Sequence, residues 1–84
     1  MEEIDVILQD HLLDTKDGKL TINPDYKDYS RKRLIAELKD VATFIREGDV
    51  ALASDYDRVV AYLESQNDEA YEREKAIIYG LCKN

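Results

Sequence analysis

The chain has 84 residues, 19 acids against 12 bases for a net charge of −7, one cysteine and one proline, which describes one small acidic domain. That balance opposes direct binding to nucleic acid or anionic membrane, since counterion release needs basic surface, and a single cysteine excludes an intramolecular disulfide. No apolar run of membrane length and no basic-then-apolar leader is visible, and the start Met1-Glu2-Glu3 opposes secretion, so a cytoplasmic protein is expected.

About two dozen Leu, Ile, Val, Met and Phe side chains, at roughly 2 kcal/mol each when fully buried, supply a modest core. Helical bundles of this size are often completed by a partner or a second copy, which makes a homodimer one option. Few loop-forming residues and 37% charged residues give an all-α expectation. The chain reads as one domain over residues 1–84, a small three- to four-helix bundle with a short extended connection after the first helix.

Residues 2–14 read as the first helix. Ile4, Ile7, Leu8, His11 and Leu12 share a face, and Glu2, Glu3 and Asp5 fall in the first turn, where the helix dipole favours negative charge. A strand competes, because Asp17-Gly18 could turn a hairpin onto Leu20-Thr21-Ile22. Strict alternation is missing from residues 4–13, which favours the helix. Residues 15–23 then form the connection.

Asn23-Pro24 predicts the start of the second helix, with Asn capping and Pro in the first turn. Leu34, Leu38, Val41 and Ile45 form its seam to about Glu47, widened by Ile35 and Ala42. Gly48 ends it, and Asp49 is placed to begin the next. From Val50 to Leu81 no Gly or Pro intervenes before Gly80. Leu52, Tyr56, Val59, Leu63, Gln66, Ala70, Arg73 and Ile77 step through this region at alternating intervals of four and three, the spacing of a packed helix face. The stretch Ser65-Gln66-Asn67-Asp68 interrupts the apolar character. Asn67 or Asp68 could cap a new helix there, so one kinked helix and two consecutive ones are both compatible with the sequence.

Chemistry-bearing patterns are few. Placing Gly18 at the sixth position of a calcium loop puts Leu13 and Pro24 where carboxylates are required, so Asp14–Thr21 is a turn and not a calcium site. His11 and Cys82 are too few for a zinc or transition-metal centre, and His11 reads as a half-buried helix-face residue. There is no phosphate-binding Gly-rich loop and no nucleophile elbow. Neither enzyme activity nor a cofactor is expected.

Two surfaces remain. Asp57, Glu64, Asp68 and Glu72 fall within about 80° of one another on a continuous helix, at 100° per residue. Asp49, Asp55 and Glu69 extend this acidic ridge. Its carboxylates, about 6 Å apart at four-residue spacing, resemble successive nucleic-acid phosphates and could occupy a basic groove that normally holds DNA or RNA. Tyr62 and Tyr71 depart from the seam and would serve as interface anchors beside Asp57, Glu64, Asp68, Glu69 and Glu72. This makes a protein–protein interaction module, an inhibitor or regulator of a basic protein such as a nucleic-acid-binding one, the first functional expectation. A solvated helix face explains the same charges. The alternative is an oligomeric binder of a phosphorylated small molecule or nucleotide, using Lys27, Arg31 and Arg33 with Tyr26 or Tyr29 near a helix N-terminus. Asp25, Asp28 and Glu37 flank that cluster and could absorb its charge.

Overall fold

Four helices and one hairpin make up the computed structural model, which describes residues 3–82. They are α1 (Glu3–Leu12), β1 (Leu13–Lys16), β2 (Lys19–Ile22), α2 (Arg31–Ile45), α3 (Val50–Ser65) and α4 (Asp68–Gly80). The architecture is the expected mostly helical bundle with an extended connection after the first helix. Glu2, expected in the first turn of α1, lies outside the described residues, as does the side chain of Glu3.

The helix and hairpin readings of the N-terminal region both hold, one after the other. Helix α1 stops at Leu12 rather than at residue 14, and the strand begins at Leu13. Asp17 and Gly18 both have positive φ, 54° and 77°. Those are the two left-handed positions that a two-residue hairpin turn matched to strand twist requires. The resulting register pairs Leu13 with Ile22 and Thr15 with Leu20 on one face. Leu13 is buried at the root of the hairpin, whereas Leu20 near its tip is 42% exposed.

Asn23-Pro24 does not start a helix. Asn23 Oδ1 accepts from the Asp25 amide, and its Nδ2 donates to the His11 carbonyl at 2.9 Å, satisfying a carbonyl in the last turn of α1. Turns follow through residue 29, and α2 begins at Arg31 behind Ser30, whose hydroxyl accepts from the Arg33 amide. Within residues 24–30 only Tyr26 and Tyr29 pack against the core, and they do so from turns, with the Tyr26 amide on the Asn23 carbonyl and the Tyr29 amide on the Tyr26 carbonyl. Asp49 caps α3 as expected, and of the alternatives left open after Ser65 the chain takes two helices, with Asn67 and not Asp68 capping α4.

Leu34 and Leu38 of α2, Val59 and Leu63 of α3, and Leu8 and Leu12 of α1 are at most 1% exposed and form the centre of the core. Tyr71 and Ile78 of α4 close it, at 2% and 7%. The region after Val50 is two helices, because Gln66 and Asn67 are both extended, with ψ of 158° and 171°. Those two residues reset the helical phase. In α3 the seam runs through Tyr56, Val59 and Leu63 as expected, with Ala53 and Val60 also buried and Leu52 38% exposed. In α4 the buried side moves by one residue, to Tyr71 and Ile78, leaving Arg73 and Ile77 outside.

Candidate interaction surface

The helix break divides the acidic ridge. Asp57 and Glu64 belong to α3, and Asp68, Glu69 and Glu72 to α4, so the common face derived for a continuous helix does not exist. Each of these acids also has a base. Arg46 contacts both Asp57 oxygens at 2.8 and 2.9 Å, and Lys39 lies 3.5 Å from Glu64, so α2 and the residue that caps its C-terminus neutralise these two α3 acids. Arg31 holds Asp68 at 2.9 Å, Arg73 lies 3.8 Å from Glu69, and Lys75 lies 3.2 Å from Glu72. Apart from Arg31 and Lys75 these side chains are largely solvent-exposed, and exposed pairs of this kind contribute about 0–1 kcal/mol.

The two tyrosines expected as anchors face inward. Tyr71 is 2% exposed and its hydroxyl donates to the Tyr29 carbonyl at 3.3 Å, joining α4 to the segment before α2. Burial pushes its pKa far above the ordinary tyrosine value. The Tyr62 hydroxyl donates to the Glu74 carboxylate and accepts from Gln66 Nε2 at 3.2 Å. The bond to Glu74, followed by burial, pushes Tyr62 up to about 12. Aromatic side chains one or two residues off a seam read as surface anchors in sequence, but the phase shift between α3 and α4 turned Tyr71 into the core.

The basic cluster is dispersed by its own contacts. Arg31, only 16% exposed, donates from Nε to Asp68 and from Nη1 to the Leu63 carbonyl at 3.0 Å, bracing the junction of α3 and α4. The Arg33 guanidinium lies over the Tyr29 ring, 4.3 Å from its centroid. Tyr26 packs edge-on against His11 and Tyr29, and its hydroxyl points to Glu37 at 3.5 Å. Lys27 is exposed. The groove nearest the start of α2, about 250 Å³, is lined by Ser30, Arg31, Tyr71, Asp68 and Glu72, and its two carboxylates oppose a phosphate. Of this cluster Arg33, Tyr29 and Tyr26 pack in a row, whereas Arg31 is turned to Asp68 and the Leu63 carbonyl.

His11 is half-buried, as expected for a helix-face residue, with Nε2 2.8 Å from the Tyr56 hydroxyl and its ring edge-on to Tyr26 and Tyr56. Burial lowers its pKa, against the opposing charges of Asp10 and Glu37. Among the described residues no three of His, Cys, Asp and Glu converge as a metal site requires, and no helix is long and apolar enough to cross a membrane.

Most of the unneutralised net charge lies elsewhere. Residues 1–28 carry eight acids and three bases, whereas residues 29–84 carry eleven and nine, so the first third holds −5 of the net −7. Asp5, Asp10, Asp14, Asp17, Asp25 and Asp28 are exposed and form no ion pair among the described residues. Asp10 and Asp14 line a shallow groove of about 290 Å³ between α1 and the hairpin, with Gln9, Leu13, Thr15 and Leu20. Dividing the sequence at its midpoint, −3 against −4, conceals this asymmetry; dividing it where α2 begins reveals it.

The chain matches no known protein family, and no curated protein or solved structure is similar to it. The functional argument therefore rests on the residues themselves.

Proposed function

We propose that this protein is a small acidic protein–protein interaction module that occludes a basic surface of a partner, such as the groove of a nucleic-acid-binding protein. The observation that carries this reading is the group of exposed, unpaired acids before α2, from Asp5 on α1 through Asp14 on β1 to Asp28. Carboxylates without an internal base present their full charge to an approaching cation and raise its association rate. The α3 and α4 acids must first exchange Arg46, Lys39 or Arg73 for a partner's base, which makes them secondary contacts. The phosphate-ligand alternative would have to draw Arg31 away from Asp68 and the Leu63 carbonyl, and Arg33 from the Tyr29 ring.

Affinity capture from the native host lysate, repeated with two charge-reversed variants, tests the reading. Asp5, Asp10 and Asp14 changed together to Lys should abolish capture, while Glu64, Glu69 and Glu72 changed to Lys should retain most of it. The converse result would return the contact to α3 and α4. Capture that is equally strong at low salt and at about 0.5 M salt, where the Debye length is only a few ångströms, would refute an electrostatic module altogether.

A further inference from the structure

Phe44, the only phenylalanine, is 81% exposed. All six tyrosines, by contrast, are buried or half-buried. Poor packing does not explain the exposure. Leu38 and Ala42 on the same helix are 0% and 2% exposed, and α2 packs more extensively against α3 than any other pair of elements. The connection at residues 46–49 is braced by the Asp49 and Gly48 amides on the Ile45 carbonyl and by Arg46 on Asp57. Val50, 65% exposed, begins α3 on the far side of that connection. An aromatic side chain is thus held out on a rigid support, which lowers the ordering cost of using it in an interface.

The surrounding charge specifies the occupant. Asp40 lies one helical turn before Phe44 on α2, and Glu47 follows it in the turn after the helix; both are exposed and without an ion pair among the described residues. The nearby bases Lys39 and Arg46 are engaged by Glu64 and Asp57. A two-fold contact between copies would bring these acids toward one another on chains that each carry −7, and an anionic membrane would be repelled in the same way. We infer that the α2–α3 turn is a docking surface with Phe44 as its anchor and Val50 as a second apolar contact. Its partner is a protein presenting an apolar pocket rimmed by Lys or Arg. The inference shares with the acidic-module reading only the sign of the partner's charge, and places the apolar anchor that the acids alone do not supply.

The probe is an amphipathic helical peptide of about 18 residues made of Leu and Lys, with a Leu and Glu peptide of the same pattern as control. Binding to the full chain is followed by NMR. The expected result is saturable shifts centred on the Phe44 ring and the Val50 methyls with the Lys peptide. Phe44→Ser should weaken this binding about tenfold with an unchanged unfolding midpoint, Phe44→Tyr should retain it, and Asp40→Lys with Glu47→Lys should transfer preference to the Glu peptide. Shifts confined to α1 and the hairpin would overturn the anchor and leave the acidic-module reading standing. Equal binding of both peptides, or of neither, would count against both. Concentration-dependent self-association, or binding to phosphatidylcholine vesicles, that Phe44→Ser removes would overturn the inference in favour of a second copy or a lipid surface.

Discussion

Helices α3 and α4 are separated by two residues, yet they join the core differently. Helix α3 contributes an aliphatic seam, with Ala53, Val59 and Leu63 each 0% exposed. Helix α4 contributes Tyr71 and Ile78, and is further secured by polar contacts: Tyr71 and Lys75 to the Tyr29 carbonyl, Glu74 to Tyr62, and Asp68 to Arg31. The difference shows what a short extended break does to an amphipathic pattern. Two residues at ψ near 160–170° turn the chain out of helical phase, and the following face is chosen by what the bundle can bury.

The sharpest way to break this comparison is a pair of adjacent truncations. Ile78→Ala should cost about 2–5 kcal/mol in urea unfolding, comparable with Leu63→Ala, because both remove buried side chains. Ile77→Ala should change stability by no more than about 0.5 kcal/mol, since its side chain is 73% exposed. The reverse order would restore one continuous helix with the seam read from spacing alone.

Arg31→Ala should follow, at about 1–3 kcal/mol, because it removes charge-assisted bonds that tie α2 to both the end of α3 and the start of α4. An effect no larger than that of Arg73→Ala, whose pair with Glu69 is long and exposed, would mean that the α3–α4 junction is not held from α2. Asn67→Ala should cost about 1 kcal/mol by removing the side-chain acceptor for the Ala70 amide, and Asn67→Gly only a few tenths.

The smallest expected effects are in pH dependence, and they too separate the regions. His11, between α1 and α3, is held below its ordinary value of 6.5 by burial. The unfolded chain therefore takes up the proton first. This contribution to stability is fully present above pH 6.5 and is lost as pH falls through the folded value, and His11→Gln should flatten that slope in thermal melts. Tyr62, between α3 and α4, has the opposite dependence. Its pKa rises from 10 to about 12, chiefly through the bond to Glu74, so stability should fall as pH rises above 10. Tyrosinate absorbance with Glu74→Gln should show an earlier titration; an unchanged curve would remove Glu74 as the cause.

Much of the fold was legible locally. Asp49 and Asn67 as caps, the Asp17-Gly18 turn, the α2 residues Leu34 and Leu38, and the α3 residues Val59 and Leu63 follow from short-range spacing and turn chemistry. Asn23-Pro24 was misleading because an Asx turn and a helix cap use the same side chain, and only the His11 carbonyl decides between them. The candidate surface was less legible. Asp57, Glu64 and Asp68 looked like part of one free ridge because their bases, Arg46, Lys39 and Arg31, lie on α2 or just past its end, at distances in sequence that no helical spacing relates.

By itself, the sequence determined a small, acidic, mostly helical chain, the residue types of its core and the positions of its principal turns, because these depend on composition, periodicity and contacts within a few residues. Only the tertiary structure decided which face of α4 is buried, which carboxylates are neutralised, and that Phe44 stands exposed. Those outcomes depend on what each helix meets across the bundle: a side chain's burial is fixed by the partner opposite it, and a carboxylate's availability by whether a base from another element reaches it.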